Sequence, residues 1–153
     1  RRAVLNFKFH NCGAYAELLS HEMVRSIKDV YRDREFDLVT CVPMHKDTLR
    51  KRGYNQAELL AKECARILGI EYADLLAKTK KNKTQHSIKA VERAKNVIGV
   101  YSPIDKNLIK GKRILIIDDI ITTGSTLGEC ARILNKCKCG EICCCTLCTS
   151  LLI

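Results

Sequence analysis

The sequence has no tryptophan, and only three phenylalanines and five tyrosines stand among its 153 residues. That scarcity argues against a stacking platform for single-stranded nucleic acid, which needs several exposed rings interleaved with basic side chains. Long apolar runs are missing as well. The longest weakly polar stretch, Ile142 to Ile153, has 12 residues and includes Thr146, Thr149 and Ser150, against the roughly 20 residues a membrane-spanning helix requires; no membrane insertion is expected. The chain opens at Arg1 without a basic leader followed by an apolar core, so no secretion signal is read and a cytoplasmic location is expected. With two prolines, no Pro/Gly/Ser-rich linker and no internal repeat, a single domain over residues 1–153 is expected.

What is abundant is positive charge and cysteine. A formal charge of +10 implies attraction to polyanions, whether nucleic acid, a membrane surface or small phosphorylated molecules. Ten cysteines would suit a disulfide scaffold, but a chain of this length with a full α/β pattern builds its own core without such staples. Cys145 and Cys148 have the CxxC spacing of a zinc or redox pair. On a strand over Glu141 to Leu147, however, Cys145 and Cys148 project to opposite faces, as do Cys143 and Cys144, so the cysteines are read as small buried hydrophobes. His10, His21 and His86 show no metal-ligand spacing.

Apolar periodicity assigns the elements. Ala14 to Arg32 places Leu18, Leu19, Met23, Ile27 and Val30 near helical spacing, and Asn55 to Leu68 repeats the pattern ahead of a capping Gly69. "FDLVTCVP" reads as a buried strand closed by Pro43, and the segment that follows reads as a basic loop. "ADLLAKTK" and "IGVYSP" are predicted strands flanking a mobile basic loop from Lys80 to Lys95, which leads into a short helical turn. "KRILIID" is a strand, Leu127 to Cys137 a helix, and Glu141 to Leu147 a final strand. Such alternation predicts an α/β fold, an open parallel β-sheet flanked by helices, with its ligand site at the carboxyl ends of the strands.

Two segments follow strands at that edge: "PMHKDTLRKRGYNQ" and "DDIITTGST". In the second, Gly124 and the hydroxyls of Thr122, Thr123, Ser125 and Thr126 stand at the start of a helix, where free N–H groups and the dipole end favour a phosphate. Asp118 and Asp119 just upstream suit a sugar diol, and they would attract hydrated Mg²⁺. The segment is neither a Walker A loop nor a dinucleotide fingerprint, since it lacks GK[ST] and GxGxxG. The pattern fits a sugar phosphate.

From Ile114 to Thr126 the chain resembles, without a gap, the signature of the type I phosphoribosyltransferases: four apolar residues, two acids, two hydrophobic residues, then Thr-Thr-Gly-Ser-Thr. "VPMHKDTLRKRGYNQAELLAKECARILG" and "TQHSIKAVERAKNVIGVY" are similar to the corresponding stretches of the ComF family, competence-associated phosphoribosyltransferase-like proteins, and with the acidic motif the resemblance covers about residues 38–147. It implies the type I phosphoribosyltransferase fold. It also implies a role for each matching position in binding phosphoribosyl pyrophosphate. Asp118 and Asp119 would hold the ribose hydroxyls at the catalytic centre, and Thr122, Thr123, Gly124, Ser125 and Thr126 the 5-phosphate. Pro43, Met44, His45 and Lys46 match the pyrophosphate loop, and Arg52, Gly53, Asn55 and Gln56 the family's Arg-Gly-aromatic-Asn-Gln run, where Arg52 can pair with a phosphate. Thr84, Gln85, Arg93 and Asn96 match the flexible-loop region.

The implied cofactor is Mg²⁺, carried by the substrate and attracted by Asp118 and Asp119, with no metal held by the protein alone. The implied reaction is transfer of the phosphoribosyl group to an amine or base. The alternative is a non-enzymatic competence or DNA-uptake accessory that binds DNA or the competence machinery, or senses a sugar phosphate; a homodimer is compatible with either. Two departures stand out. Lys80, Lys81 and Lys83 replace arginines common in the family's flexible loop. Many members also carry a zinc-binding segment ahead of the transferase-like domain, and the start at Arg1 is read as a truncation that removes it.

Overall fold

The computed structural model describes residues 12–80 and 97–149. Its central feature is a four-stranded, all-parallel sheet in the order β2-β1-β5-β6, formed by β1 (Leu38–Cys41), β2 (Glu71–Tyr72), β5 (Arg113–Ile121) and β6 (Glu141–Thr149). A parallel sheet is covered on both faces, so its strands read as continuous apolar runs. In β5, Ile114, Leu115, Ile116 and Ile117 are all fully buried, and they alternate between two cores. Leu115 and Ile117 meet α1 (Cys12–Val30) and α3 (Gln56–Leu68) through Met23, Ile27, Leu60, Ala61 and Cys64. Ile114 and Ile116 meet α5 (Ser125–Lys136) through Leu127, Cys130, Ile133 and Leu134. β6 alternates likewise, with Cys143 and Cys145 on the first face and Cys144 on the second. These thiols pack as apolar side chains, as their parity on the strand predicts.

Three sequence expectations are corrected. The basic segment after β1 is a helix, α2 (Lys46–Arg52), rather than a loop. It buries no residue and so carries no amphipathic stripe; local capping defines it. His45 Nδ1 accepts from the Asp47 N–H at 3.2 Å, and Gly53, in the left-handed conformation with φ 83°, donates its N–H to Leu49 O. The strands expected in "ADLLAKTK" and "IGVYSP" exist as β3 (Leu76–Lys78) and β4 (Tyr101–Pro103), yet they pair antiparallel with each other outside the parallel sheet. The edge of β1 is already occupied: β2 pairs with Leu38 and Val39, and the Ala73 N–H donates to Val39 O at 3.0 Å. A short helix, α4 (Lys106–Ile109), capped by Asp105, follows β4. Lastly, the strand expected over "KRILIID" runs on past Asp118 through Asp119 to Ile121, because β6 continues to pair with β5 as far as Ile121↔Thr149.

At the amino edge of the sheet, Asp37 grips Arg113. Its carboxylate accepts from the Arg113 backbone N–H at 2.7 Å and from Nη2 at 2.9 Å. Arg34 pairs with Glu141 nearby. Among the described residues, no helix is long and apolar enough to cross a membrane.

Candidate active site

The strands end unevenly at the carboxyl edge, and the site follows from that. β1 pairs with β5 only as far as Cys41↔Ile117, with one more bond from the Val42 N–H to Ile117 O at 3.0 Å. Pro43 then turns the chain away, since it has no N–H to continue the ladder. β5 runs on for four more residues, so Asp118 and Asp119 overhang a gap that β1 has vacated. The gap is a cavity of about 280 Å³. Pro43, Met44, His45, Arg52, Asn55, Asp118, Asp119 and Thr126 line it, together with Val42, Thr48, Gln56, Lys78 and Tyr101.

Nine of the nineteen residues singled out in the sequence are therefore brought to one place, from two stretches far apart in the chain, 43–56 and 118–126. Lys46 instead lines a neighbouring cavity of about 510 Å³, which shares Pro43, Met44, His45, Asn55 and Lys78 with the first. Gly53 lines neither cavity and acts as the cap of α2. Thr122, Thr123, Gly124 and Ser125 lie outside the cavity wall and form the turn that leads to it through Thr126. Thr84, Gln85, Arg93 and Asn96 lie outside the described residues.

Asp118 is a strongly perturbed group of the site. It is 9% exposed, and burial together with the charge of Asp119 pushes its carboxyl up to about 7. Its Oδ1 accepts from the Asp119 N–H at 2.9 Å, and Lys78 acts in the opposite sense by favouring the charged form. Two adjacent carboxylates, one buried and one half-buried, are a centre that seeks hydroxyl donors or a cation. Cys148 of β6 supports the strand here, its thiol donating to Asp119 O at 3.6 Å.

The turn after β5 has the opposite polarity. Gly124, left-handed at φ 74°, is the N-cap of α5 and has no side chain to occupy the first-turn N–H groups. Those donors and the dipole end of a 12-residue helix favour an anion. Thr123 Oγ1 and Ser125 Oγ, 2.7 Å apart, add hydroxyls beside it. The segment that follows β1 is held from below by Asn55, whose Nδ2 donates to Val42 O at 3.1 Å while its Oδ1 accepts from the Ala57 N–H at 3.2 Å. One side chain thus caps α3 and fixes the exit of β1.

Lys78 and Tyr101 are wall residues that no sequence motif points to. Lys78 and Tyr101 are direct partners in the β3–β4 ladder. The Lys78 ammonium sits 5.5 Å from the Tyr101 ring centroid, a cation–π contact, and Tyr101 in turn reaches Thr126. Burial pulls the Lys78 ammonium below its ordinary range. The available signal was that Lys78 and Tyr101 fall in two predicted strands on either side of the basic loop. Burial pushes the thiols of Cys41 and Cys130 up to about 12, so neither is a thiolate nucleophile at neutral pH. Among the described residues, no group of three or more His, Cys, Asp or Glu side chains is placed to hold a metal ion.

A parallel sheet whose carboxyl edge carries an acidic pair, a helix-capping hydroxyl turn and a proline-closed basic segment is the type I phosphoribosyltransferase fold. Known proteins agree with it. The phosphoribosyl transferase domain family matches residues 55–151. Competence protein F of Haemophilus influenzae is 31% identical over 144 residues, covering 91% of this chain and 63% of its own length. DNA utilization protein YhgH of Escherichia coli strain K12 is 30% identical over 101 residues, 65% of this chain and 44% of that protein. The chain thus spans less than two thirds of either relative. Adenine phosphoribosyltransferase from Saccharomyces cerevisiae superimposes with a TM-score of 0.60 over 95% of this chain and 73% of that one, at 17% identity, a likeness of fold alone. The chain belongs to the phosphoribosyl transferase domain family and, within it, to the competence-associated ComF proteins.

Proposed function

We propose that the protein binds phosphoribosyl pyrophosphate with Mg²⁺ in the 280 Å³ cavity and transfers the phosphoribosyl group to an amine or base. The observation that carries the reading is a single cavity in which an adjacent carboxylate pair, one member buried, and three anion-seeking elements meet: Thr126 at the start of α5, the Pro43–His45 turn, and Arg52. Asp118 and Asp119 accept hydrogen bonds from the ribose diol, which offsets the burial that raises the Asp118 carboxyl. The turn at 122–126 holds the 5-phosphate. The diphosphate lies against Pro43 to His45 and Arg52, whose planar fork suits a phosphate. The donor set fits Mg²⁺, since it offers hard carboxylate oxygens and leaves further positions to substrate phosphates and water. Bound to the diphosphate, Mg²⁺ neutralises charge on the leaving group.

Bond cleavage at the anomeric carbon leaves an oxocarbenium-like sugar, and the acidic pair beside the ribose stabilises that positive charge. No protein nucleophile takes part, in keeping with the protonated thiols of Cys41 and Cys130. Calorimetric titration of phosphoribosyl pyrophosphate, with and without Mg²⁺, tests the reading. Metal-dependent binding that disappears in the Asp118→Asn, Asp119→Asn double variant supports it; identical titrations of the two proteins defeat it.

A second reading is favoured by the solvent-facing basic side chains of α2, Lys46, Arg50, Lys51 and Arg52, and by relatives named for competence and DNA utilization. In it the protein is a non-enzymatic accessory of DNA uptake that contacts DNA through α2. Affinity for duplex DNA should then fall steeply as salt rises, through release of condensed counterions. A flat salt response removes this reading.

A further inference from the structure

Lys78 is a half-buried cation of the cavity wall that has no hydrogen-bond acceptor. Its ammonium stands 5.5 Å from the Tyr101 ring centroid and feels the charge of Asp118, but among the described residues no side-chain or backbone oxygen accepts from it. Elsewhere the half-buried or bridging cations are matched, Lys62 with Glu58 and Arg113 with Asp37. An ammonium drawn out of water without an acceptor is costly, and a ring face offsets only part of that cost. An apolar side chain of similar length would fill this place in the β3–β4 ladder without the penalty.

The position of the group shows what it faces. The walls of the 280 Å³ and 510 Å³ cavities have five residues in common, Pro43, Met44, His45, Asn55 and Lys78, so Lys78 stands with the Pro43–His45 turn at the junction of the two. Tyr101, which holds the ammonium, is itself tied to Thr126 in the first turn of α5. We infer that Lys78 is a ligand contact, its ammonium donating to phosphate oxygens of the diphosphate beside the Pro43–His45 turn; the inference rests on the phosphoribosyl pyrophosphate reading above. An ammonium has three donors and no acceptor, so it suits phosphate oxygens, whereas the ribose hydroxyls find their acceptors in Asp118 and Asp119. Negative charge on the diphosphate grows as the anomeric bond breaks, and a cation already stripped of water meets that charge without reorganisation.

The test is calorimetric titration of inorganic pyrophosphate with Mg²⁺, and separately of ribose 5-phosphate, into the wild-type protein, Lys78→Met and Lys78→Arg. Loss of a desolvated charge contact should raise the pyrophosphate Kd of Lys78→Met about tenfold or more, with ribose 5-phosphate affinity held within about twofold. Lys78→Arg keeps the charge and should recover most of the loss. Lys78→Gln, neutral and polar, carries the comparison if the Met variant does not fold. Unchanged pyrophosphate affinity in folded neutral variants overturns the inference and leaves the parent reading standing. Equal weakening of both ligands also overturns it, by marking Lys78 as a counter-ion of Asp118 or as a fold residue. A wild-type protein that binds ribose 5-phosphate but not pyrophosphate overturns the inference alone; one that binds neither defeats the parent reading with it.

Discussion

Asp118→Asn should make the ligand-free protein more stable while abolishing its ligand binding. The carboxyl sits at about 7 against an ordinary 3.8, and the charged or titratable groups around it are Asp119, Lys78, Tyr101, Cys41, Cys130 and Cys144. Below about pH 4 the carboxyl is protonated in both folded and unfolded chains, and the substitution is neutral. Between 4 and 7 the unfolded chain ionises before the folded one, so wild-type stability declines as pH rises. Above 7 the full penalty persists. Raising the carboxyl from 3.8 to about 7 corresponds to roughly 4 kcal/mol at most, at about 1.4 kcal/mol for each factor of ten in proton affinity. Asparagine keeps an acceptor for the Asp119 N–H, so the strand geometry is retained. Urea denaturation of both proteins without ligand at pH 4, 6 and 8 measures the effect: a gain that grows with pH is expected. A variant less stable than wild type at pH 8, or a gain equal at pH 4 and 8, refutes the reasoning.

Gly53→Ala forces a side chain into the left-handed conformation at φ 83° and should cost about 1–2 kcal/mol in chemical denaturation. Pyrophosphate affinity should be unaffected, since Gly53 lines neither cavity. Asn55→Ala removes the α3 cap together with the bond to Val42 O; a loss of about 1–3 kcal/mol should accompany weaker phosphoribosyl pyrophosphate binding in calorimetry. The Arg113 guanidinium and backbone N–H hold the Asp37 carboxyl down at about 2 against an ordinary 3.8. This stabilisation is full above pH 4 and is lost as pH falls through 2. An acid titration of Arg113→Met should therefore show its deficit relative to wild type shrinking over that window.

The acidic pair and the hydroxyl turn were legible because a charge has no structural use beside a buried parallel strand. Asp118, Asp119 and Thr126 accordingly stand in the cavity that the motif implied. The two long amphipathic helices and the strands around Ile116 were legible from apolar spacing. What escaped had no periodic signature. β2 is two residues long, and α2 buries no side chain, so each depends on its neighbours or its caps. Lys78 and Tyr101 reach the site only because β2 fills the edge of β1 and leaves β3 and β4 to pair with each other.

The most direct test of the account is a crystal structure of the protein soaked with phosphoribosyl pyrophosphate and Mg²⁺. The account predicts the 5-phosphate in the turn at 122–126, the ribose hydroxyls on Asp118 and Asp119, and the diphosphate beside Pro43 to His45 and Arg52. Ligand bound elsewhere, or an empty cavity at saturating concentration, would contradict it.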